Sequence, residues 1–148
     1  MGSAPPTLIA LDSDEYHAQH VGRLPDGRQI FVTNPFVPAG NGDLGREFIA
    51  AYVFDITGAL IDARIDDLGP RKQVNESEAL RLLHGRWTEL GPVSPGRIQV
   101  QPFSIQRFGI TFGLIPRVSD DDDEWWVECE PGNYMAFHEP WDSGEYDT

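Results

Sequence analysis

The chain has 148 residues, 24 acidic and 11 basic, giving a formal net charge of −13, with 40% hydrophobic and 11% aromatic side chains. That length and apolar content describe one globular domain, residues 1–148, with a single substantial core, and they exclude a disordered chain. An acidic excess of this size repels a phosphate backbone and an anionic membrane surface, so neither nucleic acid nor membrane is expected as a direct partner; an electrostatic partner should be basic.

Residues 1–13 are expected to form a flexible N-terminal segment, with a short apolar run at Leu8–Leu11 and no export signal. No apolar run reaches the roughly 18 to 20 residues of a membrane-spanning helix. The single cysteine, Cys129, allows no internal disulfide, so a reducing, cytoplasmic setting is the expectation. Tyr16–Arg23 and Arg28–Thr33 flank Leu24-Pro25-Asp26-Gly27, whose Pro and Asp-Gly favour chain reversal, and predict a first hairpin. Asn34–Gly45, rich in Pro, Gly and Asn, reads as a loop.

Glu47–Asp55 is an apolar and aromatic run that reads as a strand, because a Thr57-Gly58 turn and an alternating stretch follow it. In that stretch, Ala59, Ile61, Ala63 and Ile65 alternate with Leu60, Asp62, Arg64 and Asp66, which predicts a strand with one charged face. Asn75, followed by Glu76 and Glu78, marks a helix start. The helix covers about residues 76–90, with Leu80, Leu83, Trp87 and Leu90 as its apolar stripe, and Gly91-Pro92 ends it. Further strands are predicted at Arg97–Phe103, Gln106–Ile115, Trp125–Cys129 and Asn133–His138. In the second of these, the small residues Gly109, Thr111 and Gly113 imply close approach by another layer, with the helix as the candidate. The fold class is α+β: a mostly antiparallel sheet of six to eight strands with one packed helix. Such a sheet has edges to cover, which makes a homodimer through an edge strand an expectation as well.

Charge is unevenly distributed. Residues 1–74 carry −4, residues 75–118 carry +2, and residues 119–148, with eleven acids and no base, carry −11. The acidic C-terminal third starts with Asp120, Asp121, Asp122, Asp123 and Glu124, and it reads either as a solvated arm or as a docking surface for a basic partner. Aromatics are interleaved with these acids. Trp126 and Trp141 suit either packing and tail anchoring or recognition of a cationic group.

Catalytic and metal motifs are weak. Gly40-Asn41-Gly42-Asp43-Leu44-Gly45 matches a dinucleotide fingerprint by letter, but a Pro-rich loop precedes it and a strand follows it, where a strand and a helix are required. His17 and His20 share a face only on a helix, and His138 with Glu139 offers a mixed ligand set; the strand reading separates the first two. Cys129 alternates into an apolar strand face and reads as a core residue. No metal site, cofactor or catalytic residue is assigned.

Several stretches together resemble a family of small bacterial proteins labelled formate hydrogenlyase regulatory proteins of the HycA type. They are Tyr16–Arg23 with its Asp26-Gly27 turn, Tyr52-Val53-Phe54-Asp55 running into Thr57-Gly58, Phe108–Ile115, and above all Phe137-His138-Glu139-Pro140-Trp141-Asp142 followed by Gly144-Glu145-Tyr146-Asp147-Thr148. The resemblance implies a cytoplasmic bacterial protein with a regulatory role, and it carries no catalytic motif. The combined expectation is a non-enzymatic regulatory or interaction protein that binds a basic protein partner through Asp120–Glu124, Trp126, Glu139, Trp141 and Asp142. Its rivals are an immunity protein that neutralises a cationic toxin, and a small-molecule or metal-dependent enzyme using His17, His20 and His138.

Overall fold

The computed structural model describes residues 4–14, 20–38, 45–121, 123–132 and 135–147. Its strands are β1 (Ile9–Leu11), β2 (His20–Arg23), β3 (Gln29–Thr33), β4 (Phe36–Val37), β5 (Arg46–Phe54), β6 (Leu60–Gly69), β7 (Ser94–Pro95), β8 (Ile98–Val100), β9 (Phe103–Arg107), β10 (Ile110–Val118), β11 (Trp125–Glu130) and β12 (Ala136–Phe137), and one α-helix, α1 (Glu76–Glu89), lies between β6 and β7. The α+β reading holds, and the strands divide among three antiparallel sheets. The largest runs β4-β5-β3-β2-β7 with β6 also paired to β5; the second runs β12-β11-β10-β9; β1 and β8 form the third.

The large sheet is buried on both faces, which explains why β5 reads as an unbroken apolar run. Because side chains alternate along a strand, Ala50, Tyr52 and Phe54 join one core while Ile49, Ala51 and Val53 join the other. The first core adds Phe31, the β1 and β8 residues Ile9, Leu11, Ile98 and Val100, and Leu114, Val127, Cys129 and Phe137 of the second sheet. The second core lies beneath α1, where Ile30, Val32 and Leu83 meet the partly buried Leu82, Trp87 and Leu90. The molecule is thus three layers deep: helix, large sheet, and the two smaller sheets.

Local signals explain most boundaries. Asn75 caps α1 by accepting the Glu78 amide at 3.1 Å, and Gly91, at φ 117°, follows its end. Asp26-Gly27 turns the β2–β3 hairpin, with Gly27 at φ 94°. Ile9–Leu11, within the stretch expected to be flexible, is a core strand whose three side chains are at most 1% exposed. β4 lies inside the expected Asn34–Gly45 loop, and residues 40–44 of the dinucleotide-like motif lie outside the described residues.

Four expectations are corrected. Leu80 is 53% exposed, whereas Ala79 and Leu83 are buried; with Leu82 also packed inward, the buried stripe is centred away from Leu80. In β6 a register shift pairs Val53 with Asp62 and Phe54 with Leu60, so Leu60 faces the core and Ile61 turns to solvent. The predicted strand Gln106–Ile115 is broken by a turn at Phe108-Gly109, where φ is 56° and 72°, joining β9 to β10. Gly113 does accommodate a close approach, but of Phe103's backbone carbonyl on the adjoining β9, not of α1, which packs on the large sheet. As for the expected edge pairing, β6 borders the large sheet, and its Ala63 and Gly69 amides donate to the carboxylates of Asp62 and Asp67 at 2.9 and 2.8 Å.

Candidate functional site

The C-terminal segment is folded against the two-stranded sheet. Register pairs Leu11 with Ile98, so the next residues outward, Asp12 and Arg97, emerge side by side. Arg97 donates to both Asp12 carboxylate oxygens, at 2.6 and 2.9 Å, and its remaining donors reach the carbonyls of Asp142 at 2.8 Å and Ser143 at 3.0 Å. The Ala10 amide donates to the Trp141 carbonyl at 2.9 Å, and Ala136 and Asp147 exchange two backbone hydrogen bonds at the base of the segment. Gly144, at φ 77°, passes so close to Asp12 that any side chain there would meet the carboxylate. Tyr146 completes the closure, with its hydroxyl on the Asp14 carboxylate and its ring 5.7 Å from that of Phe137.

This segment borders an open cavity of about 590 Å³. Five acidic residues, Asp12, Asp14, Glu139, Glu145 and Asp147, line it together with His138, and among the described residues neither Lys nor Arg does. His138 Nδ1 lies 3.4 Å from the Asp147 carboxylate. The hydrogen bond from Arg97 holds the Asp12 carboxyl below the ordinary range, so this group is an anion at neutral pH. On the other side of Glu139-Pro140 is a second hollow of about 460 Å³, where Trp141 and Asp142 meet Leu8, Ala10 and Gln99. Glu139-Pro140 therefore separates the acidic cavity from a hollow lined in part by Trp141, which also packs against the first core.

The residues expected to bind a partner fall into three groups. Glu139, Trp141 and Asp142 are brought together around these hollows. Asp120, Asp121, Asp123 and Glu124 are exposed in the β10–β11 loop and line neither hollow; Asp122 lies outside the described residues. That loop is closed by Ser119, whose amide donates to the Glu124 carbonyl at 2.9 Å and whose hydroxyl accepts the Glu124 amide at 3.1 Å. Trp126 lies on the outer face of β11 and donates through its indole nitrogen to Glu128 at 2.9 Å.

Beside Trp126, the half-exposed Arg117 reaches both Glu128 and Glu130, at 3.3 and 3.2 Å. Burial and the adjacent Glu128 push the Glu130 carboxyl up. Burial works the same way on Glu128, but hydrogen bonds from Trp126, Glu130 and Arg117 bring that carboxyl below its ordinary value. Neither of these acids was singled out by its sequence pattern.

The histidines do not converge. His20 is buried under α1, His138 belongs to the C-terminal cavity, and His17 lies outside the described residues. Among the described residues, no group of three or more His, Cys, Asp or Glu has the arrangement of a metal site, and Cys129 is 1% exposed in the first core. No helix is long and apolar enough to cross a membrane. Sequence reasoning missed Asp12, Asp14 and Arg97. Their partners are contributed by the far end of the chain, and no local pattern reports such a pairing. No protein-family model, curated protein or solved structure matches this chain.

Proposed function

We propose that this chain is a non-enzymatic, cytoplasmic regulatory protein that binds a basic segment of a protein partner in the cavity closed by its C-terminal segment. The reading agrees with the role implied by the resemblance to the formate hydrogenlyase regulatory family. The observation that carries it is the lining of the cavity: five acidic residues, of which Asp12 is already paired to Arg97, and no Lys or Arg among the described residues around about 590 Å³. A concave surface of one charge sign concentrates the field and raises the local concentration of cationic groups. Carboxylates also accept the paired donors of a guanidinium in a fixed geometry, and the Trp141 indole next to the same ridge offers a surface for a second cation. The exposed Asp120, Asp121, Asp123 and Glu124 add long-range attraction, which raises the association rate more than the lifetime of the complex.

The test is titration of a labelled Arg-rich peptide, with an acidic peptide of equal length as control, at low and moderate salt. Wild type should bind the basic peptide with an affinity that falls with salt, and the double variant Glu139→Gln/Glu145→Gln, checked for folding by circular dichroism, should bind about tenfold more weakly. Neutralising Asp120, Asp121 and Asp123 should mainly slow association. Equal affinity of wild type and the Glu139/Glu145 variant across the salt series would refute the cavity as the binding site. Truncation at Val118 is no substitute, because it removes Val127, Cys129, Met135 and Phe137 from the first core.

A further inference from the structure

On the opposite side of the large sheet, His20 is 8% exposed and is the one buried histidine among the described residues. β2 presents it to α1, where the His84 ring lies 4.8 Å away at 83° and the Trp87 ring 5.3 Å away at 74°. Among the described residues, the groups around it supply no counter-charge. Arg86 of α1 is turned to Asp66, at 2.8 and 3.1 Å, and to Glu89. β3 sets Val32 opposite His20; β7 sets Pro95 and Ser94 beside Gly22 and Arg23, and Arg23 is directed to the Arg97 carbonyl. Among the described residues, the one titratable group in ring contact with this buried base is thus a second base, on the helix that covers it.

We infer that the His20–His84 contact is an acid-sensitive latch, which holds α1 on the sheet while the His20 ring is neutral and loosens the helix when that ring is protonated. A proton on His20 places a charge in an apolar layer with no carboxylate among the described residues to answer it, and with the His84 ring 4.8 Å away. Burial, reinforced by His84, accordingly holds the His20 imidazole below the ordinary histidine range. Loosening α1 uncovers the sheet face formed by Ile30, Val32, Ile49, Ala51 and Val53, so acidification becomes exposure of an apolar surface. This device lies on the other face of the sheet from the acidic cavity and is independent of it.

The experiment follows amide hydrogen exchange of the full chain from about pH 7.5 to about pH 5, corrected for the intrinsic rate, and compares α1 with β3 and β5. Protection of α1 relative to the sheet should fall about tenfold across this range in wild type. His20→Gln should remove most of that dependence, and the exposed-site change His84→Gln should reduce it. A flat relative protection in wild type, or an undiminished pH dependence in His20→Gln, would overturn the latch. Should His20→Gln fail to fold, the wild-type His20 ring, titrated by NMR, decides: titration at or above the ordinary histidine range overturns the proposal, and titration below it, with a reduced α1 response in His84→Gln, supports it.

Discussion

Arg97 holds both carboxylate oxygens of Asp12 across a separation of 85 residues, and the same guanidinium holds the carbonyls of Asp142 and Ser143. One side chain thereby ties the end of β1 to the segment that closes the acidic cavity. Both partners are nearly half exposed, so the pair contributes little to global stability, and its effect is local. Arg97→Ala should leave the thermal midpoint within a few degrees of wild type while proteolysis within 139–147 becomes markedly faster, as followed by mass spectrometry of the early fragments.

The same pair sets a pH dependence. The native Asp12 carboxyl titrates below its ordinary value of 3.8, chiefly because Arg97 hydrogen-bonds its charged form. Its contribution is therefore complete above the unfolded-state value and is lost as the pH falls through the lower native value. Thermal midpoints measured from about pH 5 down to about pH 2 should fall less steeply in Asp12→Asn than in wild type. Parallel curves would show that the pair contributes nothing to stability in acid.

The two leucines of α1 should behave differently. Leu83 is 7% exposed against Ile30, Val32 and their neighbours, so Leu83→Ala should cost about 2–5 kcal/mol in urea unfolding. Leu80, 53% exposed, should tolerate Ala with a change of about 0.5 kcal/mol or less. Similar losses at both positions would mean that the helix is rotated relative to the sheet.

Tyr52 is 1% exposed in the first core, and its hydroxyl has no hydrogen-bond partner among the described residues; burial pushes the phenol well above its ordinary range. An unpaired buried hydroxyl costs about 1–3 kcal/mol. Tyr52→Phe keeps the ring packing against Phe54 and Phe103 and should stabilise the protein by about 1 kcal/mol, read as a higher urea midpoint at unchanged slope. A loss of stability would reveal a partner for that hydroxyl.

What the sequence revealed follows the range of the interactions. The β2–β3 hairpin, the cap of α1 at Asn75 and the strand at β5 were legible because each depends on neighbours a few residues apart. The register shift that turns Ile61 outward was not, since it is set by pairing with Val53 and Phe54. Leu80 misled because helical spacing defines a stripe but not which part of it meets the sheet. Glu139, Trp141 and Asp142, expected from the charge and aromatic rings of the last third, lie together beside the two hollows, whereas Asp12, Asp14 and Arg97 meet them through pairings distant in sequence.

The first core also constrains the order in which this chain can fold during synthesis. β1 pairs with β8, Ile9 opposite Val100, and the layer above them needs Val127, Cys129 and Phe137 from the last quarter of the chain. Residues as far as Phe137 must therefore be synthesised before the core around Ile9 and Leu11 is complete. The β2–β3–β5–β6 meander needs no such delay, because its strands pair with sequence neighbours. The chain should thus emerge with that meander formed early and its two ends joining last, which makes the acidic cavity the final feature to appear.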